Sequence, residues 1–140
     1  MKSKSLLLLR VSLGYFLVIW GVDKLADVKH GIGVSDWLYF GLFSNRVLMQ
    51  AYGVAEIAVG ILIVLGLARR VTHPVLLAIT GMTLLGVWKS IVDPWGWWLE
   101  GTEALFYPSL IIFAASLVLW AFREDDRLVL TRGPAPARTA

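Results

Sequence analysis

Two charged residues stand where charge is expensive. Glu56 lies inside the apolar stretch AYGVAEIAVGILIVLGLA, flanked by Ala55 and Ile57. Lys24 sits near the end of another, LLLLRVSLGYFLVIWGVDKL. A charge at the centre of a membrane-crossing helix costs about 2.5–3.5 kcal/mol on insertion scales, so each needs a partner or a task. A carboxylate at that depth can carry a proton, anchor a ligand or hold a cation in a pocket. A nearby lysine can stabilise an oxyanion. The competing reading is a structural ion pair that fixes helix packing. Glu56 and Lys24 are the candidate catalytic residues.

The spacing around them is helical. Arg10, Gly14, Leu17, Gly21 and Lys24 follow one another at intervals of four, three, four and three residues. Gly53, Glu56, Gly60 and Ile63 form a second such stripe. Residues three and four apart share a helix face. Small residues permit close helix approach, and charges must face protein or water, so both stripes should turn inward. Lys24 should lie about two helical turns nearer the outer surface than Glu56, a gap its long side chain partly covers. Arg10 is expected to reach toward lipid phosphate at the inner face.

Aromatic residues gather toward one side. Trp20, Trp37, Tyr39, Phe40, Phe43, Tyr52, Trp88, Trp95, Trp97, Trp98, Phe106 and Tyr107 fall on the side assigned below as outer, twelve of the seventeen aromatics. An interfacial belt explains part of this. A belt forms at both faces, however, so an aromatic-walled outer pocket is the sharper expectation. Its candidate lining is Trp20, Gly21, Tyr52, Trp88, Glu103 and Tyr107. Such a pocket suits a planar, polar-headed, lipid-soluble molecule such as a quinone. Lys89 and Asp93 are expected to form a helix-end salt bridge, and Pro108 to kink the last apolar helix.

The elements that must position these residues follow from composition. The chain has 140 residues, of which 58% are hydrophobic and 16% charged, against about 25% charged in ordinary soluble domains. Mean hydropathy is +0.72. The predicted class is all-α: an integral membrane four-helix bundle with helices near residues 6–22, 48–68, 71–92 and 104–122. Spans must be helical because lipid satisfies no backbone hydrogen bonds. A polar tail, residues 123–140, follows the bundle, and its end from Gly133 has a disordered composition. The segment Trp37–Phe43 is a candidate interfacial or re-entrant stretch. A cleaved signal peptide is disfavoured by Arg10 within the first run and by the lack of a small-residue cleavage site.

With the N-terminus cytoplasmic, Lys2, Lys4, Arg69, Arg70, Arg123, Arg127, Arg132 and Arg138 lie inside, and Lys24, Lys29, Arg46 and Lys89 outside. Eight against four favours both termini in the cytoplasm. The net charge of +3 therefore reports topology and not a nucleic-acid partner. The absence of cysteine excludes thiol–disulfide chemistry and thiolate metal sites. His30 and His73 are the sole histidines and neither lies in the middle of an apolar run, so a bis-histidine haem inside the bundle is not expected, and no metal site is assigned.

At this point the sequence resembles the DoxX family (DoxX/DoxD-like proteins). LLRVSLGYFLVIWGVDKL looks like the family's opening, with an early arginine and then Gly21-x-x-Lys24. YGVAEIAVGILIVLGLARR looks like its second helix, with Glu56, then Gly60 and Gly66, then a basic turn. The segment FREDDRLVLTRGPAPARTA departs from the Gly-Pro-Gly and Ser-Leu-Asp pattern that ends many members. The resemblance implies a small multi-pass protein of the cell inner membrane, linked to quinone-dependent redox chemistry. Some relatives are subunits of thiosulfate:quinone oxidoreductases, and others belong to oxidative-stress systems.

The expected function is a quinone-associated oxidoreductase component, with no covalently bound cofactor, a quinone as ligand and a redox partner subunit. Whether the chain itself catalyses anything is left open. A small proton-coupled transporter and a non-catalytic scaffold for a redox enzyme are the alternatives. The small-residue stripes fit tight packing within or between chains, so a homo-oligomer also stays open.

Overall fold

A computed structural model of the chain describes residues 1–38, 40–41 and 44–130. Among these, all regular structure is helical. The elements are α1 (Lys2–Ala26), α2 (Val28–Leu38), α3 (Arg46–Leu65), α4 (Arg69–Gly86), α5 (Trp88–Val92), a single 3₁₀ turn (Ala104–Phe106) and α6 (Pro108–Ala121). Three helical stretches are long and apolar enough to cross a membrane: Lys2–Ala26, Arg46–Leu65 and Ala104–Ala121. The outward side chains Leu8, Val54, Ile111 and Val71 are more than half exposed. The interior instead holds charge, the arrangement expected where the surrounding solvent is lipid. The chain is an all-helical membrane protein.

Local chemistry sets the helix ends. Asn45 caps α3, its side-chain oxygen accepting the Val47 N–H at 2.9 Å, as short polar side chains do at N-termini. Gly66 ends α3 in the left-handed region at φ 73°, where a residue without Cβ carries no steric cost. Pro108 does not kink a helix. It starts α6, a position where its missing N–H leaves no hydrogen bond unmade. The apolar run expected near residues 71–92 breaks at Val87, whose backbone closes α4 and opens α5.

α1 and α3 form the tightest contact. A Cβ built on Gly14 would lie 2.7 Å from the Gly60 carbonyl oxygen, and one on Gly60 would lie 2.6 Å from that of Gly14. Gly21 and Gly53 repeat the arrangement at 2.5 and 2.8 Å. Gly14 opposite Gly60 and Gly21 opposite Gly53 make the two helices antiparallel. The inward stripes read from spacing are these contact faces: Arg10, Gly14, Leu17 and Gly21 are buried on α1, and Gly53, Glu56, Gly60 and Ile63 on α3. The apolar core joins four helices, with Leu13 and Leu17 of α1, Ile63 of α3, Leu76 of α4 and Leu119 of α6.

Arg10 does not reach toward lipid phosphate. Its Nη1 meets Asp126 Oδ2 at 2.5 Å with both side chains at most 2% exposed, and Nη2 donates to the Leu128 carbonyl at 2.7 Å. The first part of the expected tail thus packs under the bundle. Arg69 donates to the carbonyls of Arg123 and Asp126, and the Leu130 N–H donates to the Leu65 carbonyl. A guanidinium with a buried carboxylate in reach is better satisfied there than in a headgroup layer shared with water. The compositionally disordered end from Gly133 lies outside the described residues.

The segment after α1 is helical too. Trp37 lies in α2, whereas Tyr39, Leu42 and Phe43 of the expected interfacial stretch lie outside the described residues.

Asp93 organises the tryptophan-rich loop. Its carboxylate does not hold Lys89. It accepts the backbone N–H groups of Trp97 at 3.0 Å, Trp98 at 2.6 Å and Leu99 at 2.9 Å. Desolvation pushes this carboxyl up, but the backbone donors outweigh it and hold the pKa below its ordinary 3.8. A depressed carboxyl pKa stabilises the folded loop above the unfolded value and loses that contribution as pH falls through the folded one. Tryptophan emission should therefore be flat from pH 8 to 5 and change below about pH 4. Asp93→Asn should show the altered emission throughout and lack the acid step. An unaltered acid step in the variant would remove Asp93 from this role.

Candidate functional site

A cavity of about 420 Å³ opens at the end of the bundle where α1 finishes and α3 begins. Phe16, Trp20, Asp23 and Lys24 of α1 wall one side, on successive turns of one face. Met49, Tyr52 and Glu56 of α3 wall a second. α2 supplies His30, Gly31, Val34 and Ser35, and α4 and its end supply Thr83 and Val87. Leu105, Phe106, Pro108, Ser109 and Ile112 complete the wall from the 3₁₀ turn and α6.

The polar floor is built by the helix register. Lys24 lies one turn above the Gly21–Gly53 contact on α1. Glu56 lies one turn below it on α3, because the helices are antiparallel. At about 1.5 Å per residue the two backbones are offset by roughly 9 Å along the axis. The lysine side chain closes that gap by lying back along its own helix. Its Nζ donates to the Trp20 carbonyl at 3.4 Å and meets Glu56 Oε2 at 2.7 Å. The same ammonium sits 5.3 Å from the Trp20 ring and 5.1 Å from the Tyr52 ring, inside cation–π range.

One atom of this floor stands apart. Glu56 is 1% exposed, yet its Oε1 has no hydrogen-bond partner. A buried carboxylate oxygen without a donor is costly. It is an unpaired acceptor on a residue that lines the cavity. Lys24, 14% exposed, presents donor capacity to the same space.

Of the residues read from the sequence, Trp20, Lys24, Tyr52 and Glu56 come together here. Gly21 lies behind the floor in the helix contact, where it lets the backbones close. Trp88, Glu103 and Tyr107 do not line the cavity. The break at Val87 turns Val87 inward and leaves Trp88 half exposed. Glu103 is extended backbone ahead of the 3₁₀ turn, its N–H held by Ser90 Oγ at 3.0 Å. Tyr107 is the cap residue between that turn and α6, so Phe106 and Pro108 take the wall on either side of it. Sequence reading missed Asp23 and His30, whose side chains pair at 2.9 Å on the rim. Their seven-residue separation would have signalled a shared face, had one helix continued through Asp27.

Fold and site together define a helical membrane protein with an aromatic-walled, charge-floored cavity at one end. The DoxX family model matches residues 5–89, more than half of the chain, and the protein belongs to the DoxX family. The matched part holds both Lys24 and Glu56, while α6 and the Asp126 segment follow it. No curated protein matches the chain, and no solved structure does.

Proposed function

We propose that this DoxX-family protein is a quinone-associated oxidoreductase component of the cell inner membrane, holding the quinone head over Lys24 and Glu56. The observation that carries the reading is the unpartnered, buried Glu56 Oε1 beside the Lys24 ammonium. A hydroquinone ring offers an O–H donor and oxygen acceptors, the complement of this pair. A bound quinone supplies two-electron, two-proton redox chemistry. The chain supplies the rest: Glu56 Oε1 takes up a proton from a hydroxyl donor, and Lys24 stabilises the oxygen left behind. Trp20 and Tyr52 provide flat apolar surface beside the ammonium. With no cysteine and no G-x-G-x-x-G fingerprint, the second electron carrier is assigned to a partner subunit.

The same reading takes α4 with α5 as a fourth membrane crossing, since α4 shares the common core through Leu76. Both termini are then cytoplasmic, by the excess of Lys and Arg at the Arg10, Arg69 and Arg123 end. The cavity opens in the outer leaflet.

The test is native mass spectrometry of the protein extracted with its lipids. Quinone should accompany the wild type and be absent from the double variant Lys24→Met, Glu56→Gln. Equal quinone in both would reject this site.

A further inference from the structure

The cavity rim has two characters. Near the end of α1 it is polar: Asp23 and His30 pair across it, their side chains 47% and 58% exposed. Between the second half of α2 and the 3₁₀ turn, the exposed lining side chains among the described residues of those two elements are aliphatic. Val34 stands 37% exposed and Leu105 85% exposed, with Phe106 at the end of the turn. An aliphatic side chain as open as Leu105 at the mouth of a charged cavity has no favourable contact with water. It has one with hydrocarbon.

The elements on either side of this apolar stretch are short, eleven residues in α2 and three in the turn. They meet through the Trp37 and Phe106 rings, whose centroids lie 5.2 Å apart at a 36° tilt. Stacking of this kind carries no hydrogen bond and can open and reclose without leaving a polar group unpaired. The first half of α2 is held differently. A Cβ on Gly31 would fall 3.1 Å from Met49 Sδ, so there the helix is pressed onto α3. The Trp37–Phe106 contact is a seam beside the cavity, with Phe106 on the lining side.

We propose that the occupant of this cavity is a tailed amphiphile, and that its chain passes between α2 and the 3₁₀ turn at the Trp37–Phe106 contact into the outer leaflet. This rests on the reading that Lys24 and Glu56 hold the polar head. A cavity of about 420 Å³ is near the small end of the range for ligand pockets, about 300–1,000 Å³. It houses a ring and its substituents, and a longer chain must continue outside. The polar rim at Asp23 and His30 is the second opening, usable by a ligand without a tail.

The absence of native cysteine makes the seam addressable. In nanodiscs, Trp37→Cys with Phe106→Cys is bridged by a bifunctional thiosulfonate and reopened with reductant. Two probes are followed by quenching of tryptophan emission: a decyl-tailed benzoquinone and its methyl analogue. Against the same double variant after reductant, the bridge should slow uptake of the decyl probe at least tenfold more than that of the methyl probe. Independently, Leu105→Glu, a change at a side chain 85% exposed, should weaken the decyl probe at least tenfold more than it weakens the methyl probe. Equal effects on the two probes, or no effect on either, would overturn the lateral route while leaving the head site intact. Failure of both probes to bind the unbridged protein would instead reject the head site, and the route with it.

Discussion

Asp126→Asn should destabilise the protein by about 3–5 kcal/mol, the usual cost of removing one partner from a buried ion pair. Arg10 is 2% exposed and meets Asp126 at 2.5 Å. Asparagine keeps the size and loses the charge, so the guanidinium stays buried without a counter-ion. At roughly 2–4 °C per kcal/mol for a chain of this size, the melting midpoint in detergent should fall by about 6–20 °C. The segment from Arg123 to Leu130 is held by the same group, through the Leu128 carbonyl, and by Arg69. Trypsin should therefore cut after Arg127 faster in the variant than in the wild type. Pairing the change with Arg10→Met should return most of the loss, because no charge is then stranded. A variant that melts with the wild type would show that the buried pair does not hold the segment.

Lys24→Met should be the more damaging of the two single changes at the cavity floor. It leaves Glu56, 1% exposed, as an unpaired carboxylate in a low-dielectric interior, at about 3–5 kcal/mol. Glu56→Gln should cost less, because Lys24 is 14% exposed and its flexible chain can carry the ammonium to the polar rim. The double variant should be more stable than Lys24→Met alone. A thermodynamic cycle over the four proteins by thermal melting reads this directly. Additive losses would mean that the two groups do not act as a pair.

Much of this site was legible because it rests on helical periodicity. Intervals of three and four placed Gly14, Gly21 and Lys24 on one face, and Gly53, Glu56 and Gly60 on another. Antiparallel packing of those faces is what brings Lys24 to Glu56. The reading failed where periodicity stopped. A helix continued through Val87 and through the cap of α6 would bring Trp88 and Tyr107 to the cavity, and each break rotates the following side chains. Arg10 reads as a lipid contact because its partner lies 116 residues away, in a polar segment without a pattern to pair it. Spacing alone matches Asp93 to Lys89, although a carboxylate just past a helix end also faces the free N–H groups of the next turn. α2 stayed hidden because Val28–Leu38 mixes Lys29, His30 and Asp36 with two glycines, a poor helix signal in isolation.

The most direct test of the cavity's role is an equilibrium titration with a short-chain hydroquinone, run on wild type and Glu56→Gln in nanodiscs. The account expects saturable binding to the wild type. It expects binding at least tenfold weaker in the variant, about 1.4 kcal/mol, because the amide lacks the charged acceptor at Oε1. Equal affinity in the two proteins would contradict it and reduce the Lys24–Glu56 pair to a structural bond between α1 and α3.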